Sequence, residues 1–169
     1  MESGKVLFGQ NIRKKKQIAS LTKMITLYVA IDLAQRFKTD CHSEKIEVSE
    51  YASKIGGTTA RLKKGDIITL NDLFYGNFFI PKIGLMLPSG NDAAMACAEY
   101  FGNKLRGTSP FINNKNKRNR PSYYYFLDEM NEIAKKNGLR FSNFTNPHGL
   151  SDVNNYSTAE EVSKIAHML

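Results

Sequence analysis

The sequence predicts a single domain of helices and short strands, and three observations carry that reading. Ile18 to Ile31 is apolar nearly all round at helical spacing, as in a helix buried in the middle of a domain. Lys45-Ile46-Glu47-Val48-Ser49 alternates with period two, as a half-buried strand does. Tyr123 to Asn137 reads as an amphipathic helix, with Phe126, Leu127, Met130, Ile133 and Ala134 on one face and Gly138 as its stop. With 169 residues, 41% hydrophobic and 24% charged, the chain can bury one real core and has the composition of a soluble globular protein.

Taken in order, Lys5 to Gly9 reads as a short strand, and Gln10 to Gln17 turns the chain into the central helix, which ends near Phe37 to Asp40. Gly56-Gly57-Thr58-Thr59 is a turn, and Ala60 to Leu70 holds short extended pieces around Gly65-Asp66. Asn71 to Tyr75 resembles a capped helix start, and Pro81 and Pro88 interrupt the chain beyond it. Ala93 to Phe101 forms a helix of small residues closed by Gly102. Thr108 to Arg120 is a polar, basic loop expected to be mobile, and Arg140 to Leu150 is irregular. Thr158 with Glu161 makes a capping box for a last helix.

Composition narrows the function classes. No apolar run is long enough for a transmembrane helix, and Met1 to Lys5 lacks the apolar region of a signal peptide. The chain is therefore expected in the cytosol unless an export signal lies outside it. Cys41 and Cys97 do not form a metal-spaced cluster, so neither a metal site nor a disulfide framework is expected, and Cys97 reads as a small core residue. The net charge of +8 permits an anionic partner. It is concentrated in Arg13 to Lys16 and Lys115 to Arg120, with no Trp and no nucleic-acid motif, so nucleic acid is not expected as a partner.

Chemistry enters with Ser20 and Lys23, two polar side chains in the first turn of the apolar helix. Helix N-termini carry partial positive charge and burial disfavours an ammonium, so both push Lys23 toward its neutral, basic form. Residues three apart on a helix lie side by side, so such an amine can take the proton of the Ser20 hydroxyl. On the tetrapeptide alone, Ser20 can equally be an N-cap and Lys23 a snorkelling surface residue. A second element, Ser89-Gly90-Asn91, lies in a loop just before the small-residue helix. Its serine can pass a proton and its amide can hold a substrate amide, while Asn91 or Asp92 also caps the helix.

These stretches resemble the penicillin-binding D-alanyl-D-alanine carboxypeptidases, the low-molecular-mass serine peptidases of peptidoglycan maturation. Ile18-Ala19-Ser20-Leu21-Thr22-Lys23-Met24 is similar to their nucleophile motif, and Leu87 to Ala94 to their second motif. Gly4 to Phe8 with Asn11, Met130 to Ala134, Asn146-Pro147-His148-Gly149-Leu150 and Ser157 to Glu161 extend the likeness almost end to end. The resemblance implies the β-lactamase/DD-peptidase-like α+β fold, with the nucleophile helix between an antiparallel sheet and a helical subdomain.

It also implies acyl transfer without a cofactor. Ser20 is the acyl-ester nucleophile, Lys23 the general base, Ser89 the proton relay, and Asn91 a substrate-binding amide. The backbone N–H of Ser20 would be one oxyanion donor. The implied partners are peptidoglycan pentapeptides ending in D-Ala-D-Ala, with β-lactams as inhibitors, and the implied location is periplasmic or extracellular and membrane-associated. His148 is not expected to complete a Ser-His-Asp triad, because the family needs no histidine.

The third motif of that family, Lys-Thr-Gly or Lys-Ser-Gly, does not occur in residues 1–169. Loss of one oxyanion donor costs about 100- to 1000-fold in rate. The expectation is one DD-carboxypeptidase-like domain over 1–169 that lacks its C-terminal strands and its first strand, leaving sheet edges and apolar surface uncovered. Residues 77–84 and 113–125 read as insertions. An alternative reading is a catalytically inactive fragment that binds peptidoglycan or a partner chain. A class A β-lactamase fits less well, because the second motif is Ser-Gly-Asn rather than Ser-Asp-Asn and no counterpart of the deacylating glutamate is evident.

Overall fold

The computed structural model describes residues 6, 8–75, 84–108 and 119–169. Helix α1 (Thr22–Arg36) is the centre of the molecule, preceded by a 3₁₀ turn, Ala19–Leu21. Ile25, Val29, Ala30 and Leu33 on α1 are wholly buried, and so are Thr22 and Thr26. Three helices pack against α1: α4 (Asn91–Thr108), α5 (Tyr123–Lys136) and α6 (Ala159–Met168). The α4–α5 pair forms the largest helix interface, with the rings of Phe74, Phe101 and Phe126 stacked at centroid spacings of 6.5 and 6.4 Å across the core. Aromatic pairs at that spacing add to the burial of their surface.

Strands β1 (Lys45–Glu47) and β2 (Ile67–Thr69) form a two-stranded antiparallel ribbon in which Ile46 faces Ile68. Between them lies a short helix α2 (Glu50–Ser53), and β2 runs straight into α3 (Leu70–Tyr75). The ribbon is fastened to α4 by hydrogen bonds from Ser49 Oγ to Glu99 Oε2 (2.6 Å) and from Tyr100 Oη to Glu44 Oε1. Two isolated bridges, Lys16–Ser157 and Asn143–Tyr156, are the other β pairings among the described residues. Large apolar side chains remain exposed, among them Phe8, Leu87 and Val153.

Several local expectations change. The α4 helix runs on past Gly102 to Thr108, and Gly102 is an interior contact instead of a stop. A Cβ there would lie 2.1 Å from the Ser122 carbonyl oxygen, so glycine lets α5 approach α4. The capping box is half formed: Thr158 Oγ1 accepts from the Glu161 N–H at 3.2 Å. The Glu161 carboxylate turns instead to the Phe141 N–H and the Ser142 hydroxyl, tying α6 to the preceding loop. Strand β1 stops at Glu47 because Ser49 caps α2, accepting from the Ala52 N–H at 2.9 Å. Helix α3 begins at Leu70, with the Thr69 hydroxyl accepting from the Asp72 N–H, so Thr69 does the capping expected near Asn71.

Val6, Phe8 and Gly9 are not in a strand, and the rest of that predicted element lies outside the described residues. So do Pro81, residues 77–83 of the first insertion, residues 113–118 of the second, and the basic run at 115–118.

Candidate active site

The site is built where the 3₁₀ turn meets α1. Ser20 lies in that turn, on an exposed stretch of chain, and Ala19 before it has a left-handed φ of 46°, which a residue other than glycine rarely adopts. Ser20 makes no side-chain cap for the turn or for α1. One turn on, Lys23 is only 2% exposed, so it does not snorkel to the surface.

Three oxygens meet the Lys23 amine. Nζ donates to Asn91 Oδ1 at 2.7 Å, to the His148 carbonyl at 2.7 Å and to Ser20 Oγ at 3.2 Å. Two of these acceptors, an amide and a peptide carbonyl, carry no proton to give. Only the Ser20 hydroxyl can donate in return. When Lys23 is neutral its two N–H groups stay on the carbonyls and its lone pair is left for the Ser20 proton. Burial pushes the Lys23 pKa down to about 8, against an opposing pull from the Asp92 carboxylate. The arrangement can therefore activate a serine hydroxyl near neutral pH.

Asn91 opens α4 and is held at both ends, since its Nδ2 donates to the Gly56 carbonyl at 2.8 Å. Asp92 is a wholly internal carboxylate: it accepts from the N–H groups of Ala60 (2.8 Å), Leu62 (2.9 Å) and Ala93 (2.9 Å). It thereby fixes the 58–62 segment beside α4 and sets a negative charge behind Lys23. Ser89, with φ of 55°, sits on the wall of a cleft of about 440 Å³ that Ser20 and Lys23 also line. Its hydroxyl makes no hydrogen bond to either of them, so Ser20, Lys23 and Asn91 form one bonded set and Ser89 faces it across the cleft. Leu21, Met24, Leu85 and Met86 are among the apolar residues of that wall.

The third side of the site comes from the Asn146–Leu150 turn and the loop after it. The Pro147 carbonyl accepts from Thr26 Oγ1 at 2.7 Å, and Asn155 Nδ2 donates to Thr22 Oγ1 at 2.9 Å. The buried polar stripe of α1, Thr22, Lys23 and Thr26, is thus matched by this loop and by Asn91. The His148 imidazole accepts from the Leu150 N–H through Nδ1 and bonds to neither Ser20 nor Lys23. Burial and the nearby Lys23 charge push its pKa down to about 4. His148 serves the site through its backbone. Sequence reasoning missed that carbonyl, because a main-chain acceptor leaves no side-chain signature; the adjoining Gly149 was the available hint. It also saw Asp92 only as a cap.

Among the described residues no cluster of His, Cys, Asp and Glu could hold a metal ion, and no helix is long and apolar enough to cross a membrane. Cys97 is wholly buried and its thiol pKa is pushed up by burial.

A family model for D-alanyl-D-alanine carboxypeptidases (peptidase family S11) matches residues 1–169. The chain belongs to that family. It is 29% identical over 168 residues to the D-alanyl-D-alanine carboxypeptidase DacF of Bacillus subtilis, covering 99% of this chain and 36% of DacF. To DacC of Escherichia coli it is 31% identical over 175 residues, covering 99% of this chain and 36% of DacC. The chain thus spans a little over a third of the length of these curated relatives. Among solved structures, the D-alanyl-D-alanine carboxypeptidase DacD of Francisella tularensis superposes with a TM-score of 0.76 at 27% identity, over 97% of this chain and 33% of that one. The Streptomyces K15 DD-transpeptidase superposes with a TM-score of 0.72 at 26% identity, over 98% of this chain and 55% of that one. The fold is accordingly of the DD-peptidase type, an α+β domain of which these residues form a mainly helical part.

Proposed function

We propose that this chain carries the acylating machinery of a serine D-Ala-D-Ala carboxypeptidase. The observation that bears most weight is the buried Lys23 amine, with two carbonyl acceptors at 2.7 Å and the Ser20 hydroxyl as its only partner with a proton to give. In this reading Ser20 Oγ attacks the carbonyl of the penultimate D-alanine of a peptidoglycan stem pentapeptide while its proton passes to Lys23 Nζ. The Ser20 N–H, among the first-turn donors that helix geometry leaves without an intrahelical acceptor, faces the developing oxyanion. Collapse breaks the peptide bond, and the proton travels by way of Ser89 to the departing amine of D-alanine. Water then adds to the acyl-enzyme and releases the shortened peptide and Ser20. Asn91 holds the substrate amide as well as Lys23.

The domain is read as a single DD-carboxypeptidase-like unit over 1–169. The natural setting is the periplasm or cell exterior of a bacterium, against the membrane. β-Lactams acylate the same serine. Residues 1–169 hold no Lys-Thr-Gly or Lys-Ser-Gly motif, so the second oxyanion donor and the carboxylate-binding group of the family are not supplied by this sequence.

The test is intact-protein mass spectrometry after incubation with benzylpenicillin, followed by peptide mapping. A covalent adduct at Ser20, absent in Ser20→Ala, is the expected outcome. No adduct on a folded chain would sink the enzymatic reading and leave a family member that binds without reacting.

A further inference from the structure

We propose that Gly149 is a positioning residue for Ser20: with no side chain there, the Asn146–Leu150 turn seats directly on the Ala19–Ser20 peptide and fixes the nucleophile relative to Lys23. This deepens the acyl-transfer reading and rests on it.

The contact is backbone against backbone. A Cβ on Gly149 would stand 1.9 Å from the Ala19 carbonyl oxygen, 2.4 Å from the Ala19 carbonyl carbon and 3.0 Å from the Ser20 nitrogen. The first distance is roughly 1.5 Å short of ordinary van der Waals contact. No rotamer change relieves such an overlap, because every atom named is main chain. The peptide it presses on is the one that carries the Ser20 N–H, and it follows Ala19 in its left-handed conformation. A conformation of that kind persists only where its surroundings hold it, and the Gly149 backbone is part of those surroundings.

The same turn reaches the base. The His148 carbonyl accepts from Lys23 Nζ at 2.7 Å, and the Pro147 carbonyl accepts from the Thr26 hydroxyl. The turn is closed internally by Gly149 N–H to Asn146 Oδ1 at 2.6 Å and by Asn146 Nδ2 to the Leu150 carbonyl at 3.1 Å. Three successive residues, Pro147, His148 and Gly149, therefore touch α1, the base and the nucleophile's peptide in turn. Any shift of the turn moves the nucleophile and the base's acceptor together. Displacements of about 1 Å at a reacting centre cost roughly 100-fold in rate.

The matched control is Gly65. Its φ of 83° lies within a degree of that of Gly149, at 84°, but a Cβ there meets nothing within 4 Å. Gly65→Ala therefore places an alanine at a matching left-handed φ without the contact. Two readouts are taken on the full chain: the rate of acylation by benzylpenicillin, and the pH titration of the Lys23 Cε resonance in protein labelled with ¹³C-lysine. Gly149→Ala should acylate about 100-fold more slowly than Gly65→Ala. Its Lys23 titration should fall to lower pH, since losing a short carbonyl acceptor disfavours the ammonium, whereas the midpoint in Gly65→Ala should stay at the wild-type value. Asp92 and His148 are the other titratable groups against Lys23 and are unaltered in both variants.

If Gly149→Ala does not fold, Asn146→Ala loosens the turn without a clash and should act in the same direction, while Asn146→Asp keeps the acceptor for the Gly149 N–H, loses the donor to the Leu150 carbonyl, and should recover part of the acylation rate. Equal rates and midpoints in Gly149→Ala and Gly65→Ala, or an Asn146→Ala variant indistinguishable from wild type, overturn the proposal. A wild-type chain that takes up no penicillin refutes the acyl-transfer reading instead, and the Lys23 midpoints then decide the positioning role alone.

Discussion

The proton state of Lys23 makes the most quantitative prediction. A free lysine with a pKa of 10.5 is neutral in only about one molecule in 3000 at pH 7, whereas at a pKa of about 8 it is neutral in roughly one in ten. Burial therefore raises the population of neutral Lys23, the form the proposed base needs, roughly 300-fold at pH 7. The rate of β-lactam acylation should climb about tenfold per pH unit from pH 6 and level off above about 8. His148, held near 4, has already lost its proton and adds no inflection in that range.

Linkage gives the same shift a second, non-catalytic readout. The folded pKa lies below the unfolded one, so between about 8 and 10.5 the unfolded chain holds a proton that the folded chain has released, and stability rises with pH through that window. Below the window the desolvated ammonium costs about 3 kcal/mol, and at pH 9.5 the cost has fallen to about 1 kcal/mol. Chemical denaturation of wild type and Lys23→Met at pH 7 and pH 9.5 isolates it: the wild type should gain about 2 kcal/mol on the variant as pH rises. A flat acylation profile from pH 6 to 9, or a stability difference that ignores pH, would refute the reasoning.

Three further substitutions probe the partners of Lys23 and the packing of α4 on α5. Asn91→Leu leaves Lys23 and the Gly56 carbonyl each short of a partner, so stability should fall by about 1–3 kcal/mol and acylation should slow, both read on one preparation by urea melts and penicillin uptake. Asp92→Asn keeps the shape but removes the charge that three backbone N–H groups converge on, and should cost roughly 2–4 kcal/mol by the same melts. Gly102→Ala would ordinarily stabilise a helix interior by about 1 kcal/mol, but here the added carbon meets the Ser122 carbonyl and the melting temperature should drop instead.

How much of this is legible in the sequence depends on whether the determinant is a side chain or a backbone. Lys23 can be read because a cation in an all-round apolar helix contradicts its surroundings, and the contradiction itself points to chemistry. The all-round apolar run of α1 and the hydrophobic face of α5 are equally open to reading, and Phe126, Met130 and Ile133 are buried as expected. Gly102 misleads because a glycine near a helix end looks the same in sequence whether it stops the helix or admits a neighbour. The close approach of Ser122, which decides the matter, is a tertiary fact. Helix α2 escapes because four residues hold too little periodicity to register. In the site, Asn91 carries a motif, while the carbonyl of His148 and the seat of Gly149 on Ala19–Ser20 do not.

The polar stripe of α1 explains why fold and chemistry are hard to separate in this molecule. Thr22, Lys23 and Thr26 lie within one helical turn and a half, all buried, in a helix whose buried apolar residues belong to the core. Left unpaired, each would cost more than a typical hydrogen bond returns. Each is instead met by a specific group from a distant part of the chain: Asn155 for Thr22, Asn91 and His148 for Lys23, and Pro147 for Thr26. A shift of the 145–157 loop by one residue strands the Asn155, His148 and Pro147 contacts together, which favours a single docking register. Folding to satisfy buried polar atoms thus places two carbonyls on the Lys23 amine and leaves the Ser20 hydroxyl as its remaining partner. An aliphatic residue at position 23 would ease burial and dissolve that register along with the base. The Lys23→Met variant should therefore show a looser 145–157 loop, seen as faster amide hydrogen exchange there than in α5, even where its global stability is unchanged.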